Sequence, residues 1–258
     1  MDYVLYEHHD RHVAVITLNR PERLNALGSQ MRQELEEALQ MAARDPDVRV
    51  AIIAGAGRSF CAGADVKEWA AGTPPISQPR EATQLLNEYG TPDVIKPLIA
   101  AVHGHCLGAG LNLVATRCDI RIAGQSALFG MPEVARGTID LTTPFALEGL
   151  SRAFLSELLF TGDPVTAERA YEAGLINAVV PDDEVMAAAV RMAERIALHS
   201  PAAVRATKLN LLKTFEATAA AEVWEQRLRE RVSGSDETRE GMQAFVEKRS
   251  PQWEQDGR

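Results

Sequence analysis

Two glycine-laced stretches, Gly55-Ala-Gly-Arg-Ser-Phe-Cys-Ala-Gly-Ala-Asp65 and Gly104-His-Cys-Leu-Gly-Ala-Gly-Leu-Asn112, each follow a β-branched run. What they offer is backbone N–H groups at the ends of strands. Without bulky Cβ substituents the main chain is open to a carbonyl oxygen, which is what an oxyanion-binding site requires. One such stretch alone signals no more than a tight turn. Two in one chain read as halves of a single site. His103 and His105 stand two apart, so if the strand continues through them their rings fall on opposite faces and cannot share one metal ion. His105 is read as packed, with lining of the pocket as the alternative. No Gly-x-Ser-x-Gly elbow, Walker loop or dinucleotide Gly-x-Gly-x-x-Gly occurs, which removes the defining residues of serine hydrolases, NTPases and NAD enzymes.

The elements that must hold these stretches are legible in outline. Tyr3 to Tyr6 and Val13 to Leu18 read as a hairpin around the charged turn Glu7 to Arg11. Leu27, Met31, Leu35, Ala38, Leu39 and Ala42 share one helical face. Val50 to Ala54 and Leu98 to Val102 read as strands that lead into the two glycine stretches, and Ile120 to Ala123 as a third. Asp65-Val-Lys-Glu68 has capping-box spacing, so a short helix is expected there, ending by Gly72, with a helix from about Gly108. Residues 72–80 hold three prolines and read as a loop. From Ser200-Pro201 onward the signal is helical, including Ala219 to Val232 and Asp236 to Arg249, so the chain divides into a core over 1–197 and a helical region over 198–258. Strand and helix in alternation predict an α/β fold with mostly parallel strands.

Composition narrows the class. The chain has 258 residues, 46% of them hydrophobic, and 36 acidic against 27 basic side chains give a net charge of −9, which argues against a nucleic-acid partner. Cys61, Cys106 and Cys118 form no Cys-x-x-Cys pair and are odd in number, which points to free thiols in a reducing cytoplasm. No targeting pattern or run of about 18 apolar residues is present, so no membrane role is expected.

Leu18-Asn-Arg-Pro-Glu-Arg-Leu-Asn-Ala-Leu27, Gly57-Arg-Ser-Phe-Cys-Ala-Gly-Ala-Asp-Val-Lys-Glu68, Lys96-Pro-Leu-Ile-Ala-Ala-Val-His-Gly104 and Phe129-Gly-Met-Pro-Glu-Val-Ala-Arg-Gly-Thr-Ile139, in unbroken order, resemble the crotonase, or enoyl-CoA hydratase/isomerase, family. Thr161-Gly-Asp163, Ala173-Gly-Leu-Ile-Asn177 and Gly241-Met-Gln-Ala-Phe-Val-Glu-Lys-Arg249 extend the likeness over roughly residues 3–253. The resemblance implies a superhelix of ββα turns with a C-terminal helical trimerisation region, as a trimer or hexamer. It implies an acyl-CoA thioester substrate, with CoA as part of the substrate and no tightly bound cofactor. The N–H groups of Ala62 and Ala109 match the family's oxyanion donors. Arg23 and Leu24 match positions bordering the nucleotide, the backbone of Ala64, Asp65 and Val66 the adenine contact, and Phe245 with Lys248 a contact from a C-terminal helix, expected of a neighbouring subunit. Asp65 reads primarily as a helix cap.

The acid/base set departs from the family's hydratases, which carry two glutamates. Pro132-Glu133 supplies one, whereas Asn112 occupies the place of the other, and a neutral amide cannot accept a proton from water. Thr138-Ile-Asp-Leu-Thr-Thr-Pro144 lacks the glycine-rich stretch usual after the Pro-Glu motif, leaving Asp140 as a candidate replacement carboxylate or a surface residue. The expected activity is of the enoyl-CoA hydratase/isomerase type, with double-bond isomerisation through Glu133 easier to support than hydration. CoA-thioester hydrolysis, decarboxylation and a catalytically decayed CoA-binding scaffold are the alternatives.

Overall fold

In the computed structural model, which describes residues 1–72, 96–139, 149–213 and 236–250, the apolar runs read from the sequence lie side by side as strands of one sheet. Strands β1 (Val4–His9), β2 (Val13–Leu18), β3 (Val50–Gly55), β4 (Leu98–Val102), β6 (Ile120–Gly124) and β9 (Ala178–Val180) hydrogen-bond in that order. The β1–β2 pair is antiparallel and every later pair is parallel. The hairpin turn falls later than expected, because Arg11 and His12 take the left-handed conformation and close it after His9.

Both faces of this sheet are covered, which explains why its inner strands read as continuous apolar runs rather than as an alternation. Ala14, Ile16, Leu18, Ala51, Ile53, Ala100 and Val102 face one core, which Met31, Leu35, Ala38 and Leu39 of helix α1 (Ser29–Arg44) complete. Val13, Val15, Val50, Ile52, Ile99 and Ile122 face a second core. A helix at Val185–Ala197 closes it, burying Val185, Ala189, Ala193 and Ala197 at a strict four-residue spacing. Leu27 belongs to the first core, yet it precedes α1 and instead forms a parallel bridge with Ala64.

A smaller sheet, β5 (His105–Leu107), β7 (Leu128–Gly130) and β8 (Val165–Thr166), lies beyond the end of β4. The β5–β7 pair is parallel, with Cys106 opposite Phe129. Chain direction therefore sends the turn after β5 and the turn after β7 to the same end of this sheet. Helix α2 (Val66–Ala70) starts at Asp65, whose Oδ1 accepts from the Glu68 N–H at 3.4 Å, as the capping-box spacing predicts. Helix α3 (Ala109–Arg117) follows β5 directly.

Beyond Ser200 the described chain is helical, at Pro201–Lys213 and Asp236–Glu247. Lys208 pins the first of these to the core by donating to the Lys96 carbonyl at 3.0 Å and the Asp119 carboxylate at 2.8 Å. The 73–80 part of the expected loop, Asp140 and the expected helix over 219–232 lie outside the described residues. Among the described residues, no helix is long and apolar enough to cross a membrane.

Candidate active site

The two glycine stretches meet. Cys61 and Cys106 form a parallel bridge, with the Cys61 N–H donating to His105 O at 2.8 Å and the Leu107 N–H donating back to Cys61 O at 3.0 Å. The Gly108 N–H then donates to Gly130 O at 2.8 Å, so residues 61–65, 105–109 and 128–133 run alongside one another. Gly108 sits at φ +50°, ψ −120°, a corner that L side chains avoid, and a Cβ there would lie 2.8 Å from Oε1 of Glu133. Opposite it, a Cβ on Gly63 would fall 3.8 Å from the Ala109 nitrogen. The missing side chains thus bring Gly63, the Ala109 N–H and the Glu133 carboxylate to one point.

The two expected donors are unequal in this structure. Ala109 is the first residue of α3, where no carbonyl lies one turn back, and its N–H donates to none of the described residues. The helix dipole adds a partial positive charge there. The Ala62 N–H is already engaged, donating to Leu24 O at 2.9 Å. The cause is local: Leu24 and Asn25 both take left-handed conformations after a 3₁₀ turn over Pro21–Arg23, which turns the Leu24 carbonyl onto Ala62. Asn25 holds that turn in place. It is fully buried, its Oδ1 accepts from the Arg20 N–H at 2.8 Å, and its Nδ2 donates to Ala56 O and Ser59 O at 2.9 and 2.8 Å.

A cavity of about 210 Å³ opens over this junction. Ala62, Gly63 and Gly108 form its floor, with Pro132, Glu133, Arg136 and Thr138 on one wall. Arg23, Ala64, Asp65, Val66, Lys67 and Trp69 form the other, and Phe245 closes it. Asp65 is held by the Arg20 guanidinium at 3.1 Å as well as by its capping bond. Arg136 lies above the Phe245 ring, its Cζ 4.8 Å from the ring centroid, and it donates to Pro132 O at 3.4 Å. Burial pushes its guanidinium below the ordinary value, and the Glu133 carboxylate partly offsets this.

Phe245 reaches the cavity from helix α8 (Asp236–Glu247) of the same chain, the helix that the resemblance assigns to a neighbouring subunit's site. Three contacts dock that helix: Thr238 Oγ1 donates to Gly137 O at 2.6 Å, Gly241 passes tightly over the Arg136 carbonyl, and Phe245 stacks under Arg136. Lys248 is exposed in a left-handed turn after α8 and does not line the cavity. Leu24 contributes its carbonyl rather than a cavity surface. Asn112 stands within the first turn of α3, half-buried and outside the lining.

The strand does not continue through the histidines, because Gly104 at φ +55° separates β4 from β5. His103 Nε2 pairs with Gly57 O at 2.8 Å and His105 Nδ1 with Ser59 Oγ at 3.2 Å, so neither lines the cavity. Among the described residues, no group of three metal-ligating side chains forms. Sequence reasoning missed Asn25, Lys67, Trp69 and Arg136. The signal for Arg136 was available, since a cation three residues after Glu133 returns to the same side of a tight helical turn.

Known proteins resemble this chain in both sequence and fold. The family model for enoyl-CoA hydratase/isomerase matches residues 8–256. A probable mitochondrial enoyl-CoA hydratase of Dictyostelium discoideum is 38% identical over 244 residues, covering 93% of this chain and 87% of that protein. The crystal structure of a carnitinyl-CoA hydratase from Mycobacterium avium superposes with a TM-score of 0.84 at 36% identity, covering 98% of each chain. The crystal structure of a methylmalonyl CoA decarboxylase gives a TM-score of 0.84 at 30% identity, covering 97% of each. Bridged glycine stretches, a Pro-Glu carboxylate beside them and a match along nearly the whole chain lead to one conclusion: this protein belongs to the enoyl-CoA hydratase/isomerase family.

Proposed function

We propose that this acyl-CoA enzyme isomerises the double bond of an enoyl-CoA thioester, with Glu133 as its single proton carrier. The observation that carries the reading is the placement of the Glu133 carboxylate against Gly108, beside the Ala109 N–H. A thioester oxygen seated there accepts from Ala109, and from Ala62 once that N–H leaves Leu24. Glu133 takes a proton from the carbon next to the carbonyl, and the electron pair moves into a dienolate whose oxyanion the N–H donors stabilise. Glu133 then returns the proton two carbons further along, and the double bond comes to rest beside the carbonyl. Hydration needs a second group to hold and deprotonate water. Asp65 is committed to Arg20 and to the α2 cap, and Asn112 is neutral. At the other wall, Arg23, Lys67 and the backbone of residues 64–66 suit the CoA moiety, with Lys248 as an outer phosphate contact.

Decarboxylation is a second reading, favoured by the likeness to the methylmalonyl CoA decarboxylase. Loss of carbon dioxide from an α-carboxyl group leaves a simple thioester enolate with its oxyanion in the same place, which Glu133 in its acid form would protonate at the α-carbon. A panel of CoA thioesters assayed for isomerisation, hydration, carbon dioxide release and CoA release separates these. Isomerisation as the fastest activity supports the proposal, and efficient hydration of a short 2-enoyl-CoA contradicts it. Binding of every thioester without turnover would indicate a decayed scaffold.

The proposed assembly is a trimer or hexamer. The reading rests on the helical C-terminal region and the family resemblance, and light scattering tests it. The proposed setting is a reducing cytoplasm, since the three buried thiols are free and burial raises Cys61 to about 11 and Cys118 to about 12.

A further inference from the structure

The cationic wall of the cavity points to the acyl group itself. In a chain with a net charge of −9, the cavity is lined by three cations, Arg23, Lys67 and Arg136. Against them stand Glu133 and an Asp65 that Arg20 already neutralises. Arg23 and Lys67 flank the 64–66 backbone, where the CoA moiety is assigned. Arg136 stands apart, one helical turn from Glu133 and close in sequence to Thr138, among the lining residues where the proposed mechanism puts the reacting carbons. Its guanidinium is fixed by the Pro132 carbonyl and the Phe245 ring, yet its Nε is buried with no acceptor among the described residues. That nitrogen is enclosed, but Arg136 as a residue lines the cavity, where a planar carboxylate is the best-matched partner for a guanidinium.

We infer that Arg136 is a specificity-determining residue for an acyl group that carries its own carboxylate, so that the preferred substrate is the CoA thioester of a dicarboxylic acid. The inference rests on the acyl-CoA reading of the site. Phe245 makes the selection dependent on α8 of the same chain, because the ring holds the guanidinium in register with the cavity.

Binding of unreactive saturated thioesters isolates this inference from turnover. Succinyl-, glutaryl- and adipyl-CoA are titrated calorimetrically into the full-length protein, each against the uncharged butyryl-, valeryl- or hexanoyl-CoA, with free CoA as reference. At least one dicarboxylic thioester is expected to bind about tenfold or more tightly than its uncharged counterpart, the size of one charge-assisted hydrogen bond. Arg136→Gln is expected to abolish that preference and Arg136→Lys to keep part of it, both with free CoA affinity retained. Equal or tighter binding of every uncharged thioester by the wild-type protein overturns the inference, even if both variants fail to fold. An equal loss for charged and uncharged thioesters in Arg136→Gln also overturns it, assigning Arg136 to the positioning of Glu133 instead. If neither CoA nor any thioester binds, the acyl-CoA reading itself falls.

Discussion

The seam that joins residues 61–65 to 105–109 and the wall formed by residues 132–138 line one cavity, but they are held by different forces. The seam is built from main-chain hydrogen bonds: Cys61 to His105, Leu107 to Cys61, Gly108 to Gly130 and Leu27 to Gly63. In the proposed mechanism its working atoms are backbone N–H groups, so most side-chain substitutions there are expected to leave the chemistry in place. The wall depends on side chains, with Glu133 and Arg136 presented from a short 3₁₀ turn and braced by Phe245 and Thr238 of α8. In the proposed mechanism electrostatic stabilisation falls to the half of the site held by main-chain hydrogen bonds. Proton transfer and acyl selection have been assigned to the half that a few substitutions can retune, in keeping with a family whose members differ in reaction more than in fold.

The largest effect is expected on the wall. Glu133→Gln should lower turnover by roughly 10² to 10⁴ while CoA affinity stays near wild type, measured by steady-state kinetics and calorimetry. If Glu133 only braced Arg136, turnover would fall with substrate affinity rather than alone. On the seam, Ala109→Pro offers a selective break. Proline is tolerated at the first position of a helix, so the donor is lost while α3 keeps its form. Turnover is expected to drop by roughly 10² to 10³ with an unchanged circular dichroism spectrum. Ala62→Pro breaks the bond to Leu24 as well, so it should also reduce stability.

The comparison is sharpened by Asn25, which supports the seam from outside the cavity. Asn25→Ala leaves the Arg20 N–H and the Ala56 and Ser59 carbonyls unpaired and is expected to destabilise the fold by about 2–4 kcal/mol in urea unfolding. Residual turnover per folded molecule should change little. The smallest effect is expected at Asn112, which lies outside the cavity lining: Asn112→Ala should alter isomerisation by less than about tenfold. Asn112→Glu would sharpen the contrast by adding the second carboxylate, and any gain in hydration of a short 2-enoyl-CoA would show that a base at this position is what hydration lacks. If the wild type already hydrates efficiently and Asn112→Glu adds nothing, Asp140 becomes the residue to test.

The long elements were legible because each repeats a pattern often enough to be read. The apolar face of α1, the runs of β3 and β4 and the Asp65 cap all stand where the residues place them. Strands β5, β7 and β8 were not, since two or three residues carry no period, and these strands bring the two turns of the site to one end. Likewise the meeting of Gly108 with Glu133 depends on strand pairing between residues 23 apart, which spacing cannot supply. Phe245 was identified through its motif, but a motif does not say which copy of the chain a helix serves. Arg136 was visible only as one charge among many until its burial and its stacking on Phe245 were known.

The central claim is that one carboxylate and a backbone oxyanion site move a proton between carbons of an acyl-CoA thioester. Its most direct test follows a short 3-enoyl-CoA in deuterium oxide by proton NMR with the wild-type protein, Glu133→Gln and Ala109→Pro. The account predicts exchange at the carbon beside the carbonyl together with formation of the 2-enoyl isomer in the wild type, and the loss of both in each variant. Isomerisation that persists in Glu133→Gln at the wild-type rate, or a wild-type protein that hydrates 2-enoyl-CoA while leaving the 3-enoyl thioester unexchanged, would contradict it.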